Sequence, residues 1–196
     1  TKSPITMKKI TLLFALLIAT SPLAFSQISV LEKSALIDLY KSTDGANWNT
    51  TWNLNENVNT WFGVTVENNM VTEINLSMNN LSGEIPATIG NLQSLETINL
   101  GFNKINGVIP NEITSILSLE NIQLFMNQLE GEIPATIGNL VNLKELVLFN
   151  NSLSGYLPTS IYTLKSLEIL HVSSNNLTGE LPSEIKNLTK LTVLSV

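Results

Sequence analysis

The sequence contains no cysteine and no arginine, it has a single histidine, and charged residues make up only 13% of its 196 positions. The absence of cysteine excludes disulfides, zinc–thiolate sites and cysteine nucleophiles. The absence of arginine removes the forked side chain that clamps phosphate. Ten lysines against sixteen acidic residues give a formal charge of −6 and a pI near 4.8. A nucleic-acid partner needs a basic face, so we expect no nucleic acid to bind. We also expect no metal ion and no cofactor.

Amides take the place of the missing charges. The sequence has 25 asparagines, and 43% of its residues are hydrophobic, which is enough for a buried core. The length suits one domain or one array of repeats.

Residues 1–26 have the pattern of a secretory signal peptide. Lys8 and Lys9 precede the apolar run ITLLFALLIA, and Ala24 and Ser26 place small residues before a cleavage point at Gln27. The run is too short to cross a bilayer, although a core helix or an anchor is the alternative. We expect translation to start at Met7 and the product to be secreted or at the cell surface, without a membrane span. From Gln27 onward the chain has 7 lysines and 16 acidic residues, a formal charge of −9.

A 24-residue repeat covers the chain from Val71 onward. Its copies begin at Val71, Leu95, Leu119, Leu143, Leu167 and Leu191. Column nine of the repeat is always asparagine: Asn79, Asn103, Asn127, Asn151 and Asn175. Column thirteen is always glycine and column sixteen always proline, in each of the five complete copies. A fixed period in this range predicts a solenoid of stacked coils.

Each column of the repeat has a physical role. Columns four and six are aliphatic and should point into the core from a short parallel strand. The column-nine carboxamide has donors and an acceptor, so stacked asparagines can satisfy backbone groups of the coils above and below where the strand turns away. Glycine supplies freedom at a bend, and proline starts the return segment. We therefore predict a structural asparagine ladder through column nine.

The consensus LxxLxLxxNxLxGxIPxxIGxLxx resembles the plant-type leucine-rich repeats of receptor-like kinases, polygalacturonase inhibitors and bacterial secreted proteins. The resemblance implies an α/β-type solenoid with a curved parallel sheet on its concave side and short 3-10 or irregular segments on its convex side. It also implies a second short strand near Leu81, Ser82 and Gly83 and their copies. Family members bind proteins, peptides or glycans through the concave face.

Residues 27–70 should form an N-terminal cap. Apolar residues between positions 29 and 41 recur at helical spacing, which predicts an amphipathic helix. Asn68 and Asn69 separate two short apolar runs and predict a hairpin. Trp48, Trp52 and Trp61 follow closely on one another, and we expect them to plug the open end of the first coil, with a sugar-stacking platform as the alternative. The motif WFGV resembles the cap of plant-type repeat proteins, although the usual cysteine pair is absent.

The domain organisation follows from these boundaries: upstream residues plus a signal peptide that starts at Met7 in 1–26, cap 27–70, five repeats 71–190, and the start of a sixth repeat at 191–196. Because the sixth copy stops at Val196, we expect the chain to be part of a longer protein.

The outward columns of the strands should carry the binding information. They place aromatic and aliphatic side chains on three neighbouring coils, flanked by polar ones, and an exposed apolar patch of this kind suits a partner. The alternative is that the column-eight residues tuck into the core. The predicted ligand-binding residues are Phe102, Phe125, Met126, Val147, Phe149, Gln123 and His171, with Phe125 and Phe149 as the anchors.

We predict a non-catalytic recognition module. His171 has no outward aspartate near it and lies on a flat sheet beside Ser173 and Ser174, without a pocket or oxyanion donors. Two alternatives remain open. Glu96, Glu120 and Glu168 form an acidic stripe in column two, interrupted by Lys144. The stripe suits an inhibitor of a secreted wall-degrading enzyme, although such a row is usually only a solvated edge. Flat columns of asparagine suit an adhesin or an ice-binding surface.

Overall fold

The computed structural model describes residues 28–196. The predicted signal peptide, residues 1–26, lies outside the described residues and stays a prediction. Among residues 28–196, none of the helices has both the length and the apolar character needed to cross a bilayer.

Helix α1 spans Val30–Ser42, within one residue of the predicted range. Ser29 is its N-cap and forms a capping box with Glu32, in which each side chain accepts a hydrogen bond from the other's backbone N–H. This arrangement satisfies two of the donors that a helix start leaves free. The helix buries Leu36 and Leu39 against the first coil.

The predicted hairpin is confirmed. Strands β1 (Val64–Glu67) and β2 (Met70–Asn75) pair in antiparallel fashion. Asn68 and Asn69 connect them with φ values of 50° and 67°. Both residues therefore adopt the left-handed conformation of a type I′ turn, which asparagine tolerates well.

One seven-stranded sheet runs the length of the described chain. After the hairpin its strands are β4 (Thr97–Asn99), β6 (Asn121–Gln123), β7 (Glu145–Val147), β9 (Ile169–His171) and β11 (Val193–Ser195). The sheet order is β1-β2-β4-β6-β7-β9-β11, and all pairs after the hairpin are parallel. Each residue pairs with the one 24 positions later, as Ile98 does with Ile122. Columns four and six are fully or almost fully buried from Ile74 to Val172, as their alternation predicted.

A second, discontinuous set of short strands flanks this sheet. Its members are β3 (Ser82–Glu84), β5 (Lys104–Asn106), β8 (Ser154–Tyr156) and β10 (Asn176–Thr178). Strand β3 pairs with β5, and β8 with β10. The expected strand at Leu81 to Gly83 is thus present one residue later, and the partner strand in the next coil lies two columns earlier. The third coil has only an isolated bridge between Val108 and Glu130 in place of the expected strand. The column-thirteen glycines all have positive φ, from 70° to 123°, which explains why no other residue occupies that bend.

The return segments are 3-10 helices, as predicted for the convex side. They span Ala87–Asn91, Asn111–Ser115, Ala135–Asn139, Thr159–Thr163 and Ser183–Asn187. The column-sixteen proline immediately precedes each of them, in extended conformation. Proline has no N–H to leave unpaired at a helix start, which accounts for its invariant place.

The three tryptophans close the first coil. Two further 3-10 turns, Gly45–Asn47 and Val58–Thr60, shape the loop that carries them. Trp48, Trp52 and Trp61 are at most 5% exposed, and each indole N–H donates to a backbone carbonyl. Trp52 stacks on Trp61 with ring centres 4.7 Å apart. Buried rings offer no face to a sugar, so these residues serve the cap.

Candidate recognition surface

The column-nine asparagines connect successive coils through one continuous ladder of hydrogen bonds. The Asn127 Oδ1 atom accepts from the backbone N–H of Ile105 in the preceding coil, at 3.0 Å. Its Nδ2 group donates to the carbonyls of Leu100, in the preceding coil, and Leu124, in its own. The other four side chains bond in the same manner, with Asn79 bonding Thr50 of the cap instead. The side chains thus link each coil to the coil before it, rather than to both neighbours.

Column eight turns the chain out of the strand through an unusual backbone conformation. Its members have φ values between 52° and 56°: Met78, Phe102, Met126, Asn150 and Ser174. In this left-handed conformation the column-eight N–H donates to a column-seven carbonyl of the next coil, as Met126 does to Phe149. The conformation costs a bulky residue roughly 1 kcal/mol, while asparagine adopts it readily.

The column-eight side chains point outward. Met78 is 68% exposed and Phe102 48% exposed. The alternative in which this column fills the core is therefore wrong for these residues.

Four rings form one row across neighbouring coils, which we call the aromatic row: Phe102, Phe125, Phe149 and His171. Phe102 meets Phe125 edge to face, with ring centres 5.8 Å apart. Phe125 then stacks on Phe149 at 5.0 Å, with planes only 11° apart, and Phe149 stacks on His171 at 4.3 Å. The open face of the sheet therefore carries a contiguous, partly exposed aromatic surface.

Gly101 makes room for this row. A Cβ atom at position 101 would lie 2.5 Å from Cε1 and 2.6 Å from Cζ of Phe125. The Phe125 ring thus lies against the Gly101 backbone, and any larger residue there would displace it. Gly101 is a part of the surface that the sequence pattern did not identify, because column seven tolerates serine, glycine or phenylalanine.

Three predicted residues, Gln123, Val147 and Met126, lie beside the row. Gln123, Val147 and His171 are direct partners on adjacent strands. Gln123 donates a hydrogen bond to Glu145 Oε2 at 2.9 Å, so its amide is already engaged. Met126 follows Phe125 and is half-buried. All seven predicted residues are therefore brought onto one face.

The acidic stripe is interrupted by an ion pair. Lys144 Nζ lies 2.6 Å from Glu120 Oε2, and it is the one ion pair in the described part of the chain. The hydrogen bond to the Glu120 carboxylate raises the pKa of Lys144, and the charges of Glu168 and Glu96 add to the rise. The stripe consequently presents two separated carboxylates rather than a continuous negative edge.

His171 has one polar partner. Its Nε2 atom lies 2.9 Å from Ser173 Oγ, while its ring stacks on Phe149 on the open sheet. Within residues 28–196, no carboxylate forms a hydrogen bond with the His171 imidazole. A catalytic base needs such a partner to hold its ring in orientation. Within the same residues, His, Asp and Glu side chains do not form a group of three suited to a metal ion.

A shallow groove of about 380 Å³ lies beside the start of the row. We call it the methionine groove, and its lining residues are Asn49, Met78, Asn80, Phe102, Asn103, Lys104 and Met126. The predicted site included Phe102 and Met126 but not Met78 or Lys104. The repeated apolar residue in column eight is the signal from which Met78 could have been included.

Comparison with known proteins agrees with this architecture. The family model described as Leucine Rich Repeat matches residues 70–92, 94–116, 118–140, 142–164 and 166–188. No curated protein matches the chain. Solved structures that are similar to it are mainly plant receptor ectodomains.

Three of these structures illustrate how similar the known proteins are to this chain. The ectodomain of the membrane receptor kinase GASSHO1/SCHENGEN3 from Arabidopsis thaliana, in complex with CASPARIAN STRIP INTEGRITY FACTOR 2, is 32% identical with a TM-score of 0.78. The match covers 84% of this chain and 20% of that one, so this chain spans about a fifth of that ectodomain. The ectodomain of the receptor kinase SOBIR1 from Arabidopsis thaliana is 26% identical with a TM-score of 0.74, over 85% of this chain and 92% of that one. A plant ice-binding protein is 25% identical with a TM-score of 0.78, over 87% and 56% of the two chains.

Proposed function

This chain belongs to the leucine-rich repeat family, and from that premise we propose that it is an exported, non-catalytic recognition module that binds an extended peptide or protein segment across the open face of its sheet. The aromatic row carries the proposal. It spans four neighbouring coils and remains partly exposed, and a folded protein rarely leaves such a contiguous apolar surface free unless something binds there. Phe125 and Phe149, at its centre, are the proposed anchors.

The orientation of the rings favours a peptide over a glycan. Phe125 and Phe149 lie nearly parallel and cover each other's faces, and Phe149 and His171 do the same. A sugar needs an open ring face for stacking, whereas these rings present mainly their edges. Ring edges carry positive potential, so they suit peptide carbonyls, thioethers and apolar side chains.

Two observations support an extracellular setting. The sequence predicts a signal peptide in residues 1–26, and the similar structures named above are ectodomains of plant receptor kinases. The first of them is in complex with CASPARIAN STRIP INTEGRITY FACTOR 2, which agrees with recognition as the role. An inhibitor of a secreted enzyme would be a special case of this proposal, with the enzyme as the protein partner.

Selection from a displayed library of random peptides tests the proposal. The wild-type chain should enrich a family of related peptides, and a variant with alanine at both Phe125 and Phe149 should lose them. An alanine variant of Val141 is the control for loss of an exposed apolar side chain, because Val141 is 60% exposed and lies between the 3-10 helix Ala135–Asn139 and strand β7. If the double variant retains the same peptides as the wild type, the row is not the binding surface.

Ice binding is the second candidate, because the likeness to the plant ice-binding protein covers 87% of this chain. An ice-recrystallisation assay separates the two candidates. Inhibition of crystal growth that persists in the Phe125 and Phe149 double variant would favour ice binding by another face over peptide recognition by the row.

A further inference from the structure

The methionine groove combines backbone strain with exposed apolar side chains. Met78, Phe102 and Met126 line it, and all three adopt the left-handed conformation that bulky residues rarely take. Asn150 occupies the equivalent position two coils beyond Phe102 in the same conformation. The repeat therefore accepts asparagine, which tolerates the left-handed conformation best, at this column. Strain of this kind persists at sites where the side chain itself has a task.

A cation lies at the edge of the groove. Lys104 is exposed, and its Nζ donates a hydrogen bond to Asn80 Oδ1 at 2.8 Å. An ammonium group has three donors, so two remain available. Lys104 has no carboxylate within ion-pair distance among residues 28–196, although acidic residues outnumber lysines about two to one in this part of the chain.

The cap fixes one wall of the groove. Asn49 donates a hydrogen bond to the carbonyl of Met78 at 2.9 Å, and Asn80 donates one to the carbonyl of Asn47 at 2.8 Å. The groove is therefore held by hydrogen bonds to the cap loop that carries the three tryptophans, as well as by the first coils. At its other end it shares Phe102 with the aromatic row, so one ligand can occupy both.

We propose that the methionine groove binds an apolar side chain that has a carboxylate beside it, supplied by an acidic and apolar stretch of a peptide ligand. The methionines and Phe102 enclose the apolar side chain, and Lys104 pairs with the carboxylate. A volume of about 380 Å³ lies within the range of small ligand sites. The proposal rests on the proposed function and names the chemistry that this part of the surface selects.

Methyl NMR of the full chain labelled at methionine tests the groove directly. The probe is the blocked dipeptide N-acetyl-Leu-Glu-amide, titrated into the millimolar range. The Met78 and Met126 methyl signals should shift in a saturable manner. The internal control is Met70, which is 41% exposed on the hairpin and is not among the groove's lining residues. Equal shifts of all three signals, or none at Met78 and Met126, would overturn the proposal.

Matched ligands and variants test the carboxylate. The Leu-Gln dipeptide should bind about threefold to fivefold more weakly than Leu-Glu, as expected for an exposed ion pair. Lys104→Gln should remove that difference while leaving the fold intact, because Lys104 is exposed. An unchanged preference for Leu-Glu in Lys104→Gln would show that the lysine does not pair with the ligand.

The strain argument has its own test. Met78→Asn should leave the midpoint of urea unfolding unchanged or raised and should reduce the dipeptide-induced shift of Met126. Ser174→Asn makes a similar change in column eight outside the groove and should leave that shift unaltered. A lowered midpoint in Met78→Asn together with an unchanged Met126 shift would contradict the proposal.

These experiments separate the groove from the wider function. If library peptides depend on Phe149 but the Met78 signal does not respond, the groove proposal fails and the aromatic row stands. If the dipeptide shifts the Met78 signal but library selection yields no peptide that depends on the aromatic row, the groove proposal stands and the proposal for the row fails.

Discussion

At the residue scale, single amides join one coil to the next. The Asn127 side chain satisfies an N–H and a carbonyl of the preceding coil and a further carbonyl of its own coil. Removing it leaves the buried N–H of Ile105 without a partner, which costs about 1–3 kcal/mol. The carbonyls of Leu100 and Leu124 each lose one of two donors and keep the bond from Asn103 and Asn151, respectively.

We therefore expect Asn127→Ala to lower the free energy of unfolding by about 3 kcal/mol, measured by urea denaturation. Asn139→Ala is the matched control, because Asn139 is exposed at the end of a 3-10 helix. If the two variants are equally stable, the Asn127 side chain contributes no more to the free energy of unfolding than an exposed asparagine does.

A second residue-scale prediction concerns Gly101. Its Cα faces the Phe125 ring so closely that a methyl group would displace the ring, but the ring is only partly buried and can rotate away. Gly101→Ala should therefore change the free energy of unfolding by less than about 1 kcal/mol. The same variant should bind library-selected peptides at least severalfold more weakly. Unaltered peptide affinity would show that the position of the Phe125 ring is immaterial.

At the element scale, Glu32 connects helix α1 to the first strand of the repeat array. One carboxylate oxygen accepts from Ser29 in the capping box, and the other accepts from the backbone N–H of Val71 at 3.0 Å. The side chain is only 7% exposed, so water cannot replace these bonds when the carboxylate is removed.

Glu32→Ala should lower the free energy of unfolding by about 2–3 kcal/mol, because both the cap and a buried backbone donor lose their partner. Ser34→Ala changes an exposed position of the same helix and should stay within about 0.5 kcal/mol of the wild type. Thermal or urea unfolding followed by circular dichroism measures both. A loss in Ser34→Ala as large as that in Glu32→Ala would contradict this role.

The sequence predicted the elements well where a period governs them. The alternation of apolar and polar residues around Ile98 and its copies determines which face of each strand is buried. The pair Asn68 and Asn69 indicates the hairpin turn. Proline before each return segment and asparagine after each strand follow from backbone chemistry alone, so their positions could be predicted from the sequence.

The candidate surface was predictable only in outline. The columns identify Phe125 and Phe149 as outward residues, but the near-parallel stacking of their rings depends on side-chain rotamers and on the gap above Gly101. The left-handed conformation of Met78 and Phe102 runs against their intrinsic preference, so propensity could not reveal it. The short flanking strands pair with a two-residue offset between coils, and a strict 24-residue period does not predict that offset.

At the scale of the whole molecule, the repeat separates stability from recognition. The aliphatic columns are buried and the asparagine ladder is buried or half-buried, and both recur from coil to coil. The outward columns vary from coil to coil, and the rings gather there in one row from Phe102 to His171. The same division holds for the groove, which uses strained exposed residues of the first coils without disturbing the core.

Titration of a library-selected peptide into matched alanine variants tests this account most directly. Isothermal titration calorimetry should give a dissociation constant for Phe149→Ala that is about tenfold or more above the wild-type value, as for a central aromatic anchor. Val141→Ala, which removes an exposed apolar side chain outside the aromatic row, should bind as the wild type does. If Phe149→Ala binds the peptide as tightly as the wild type while Val141→Ala loses it, recognition does not take place on the open face of the sheet.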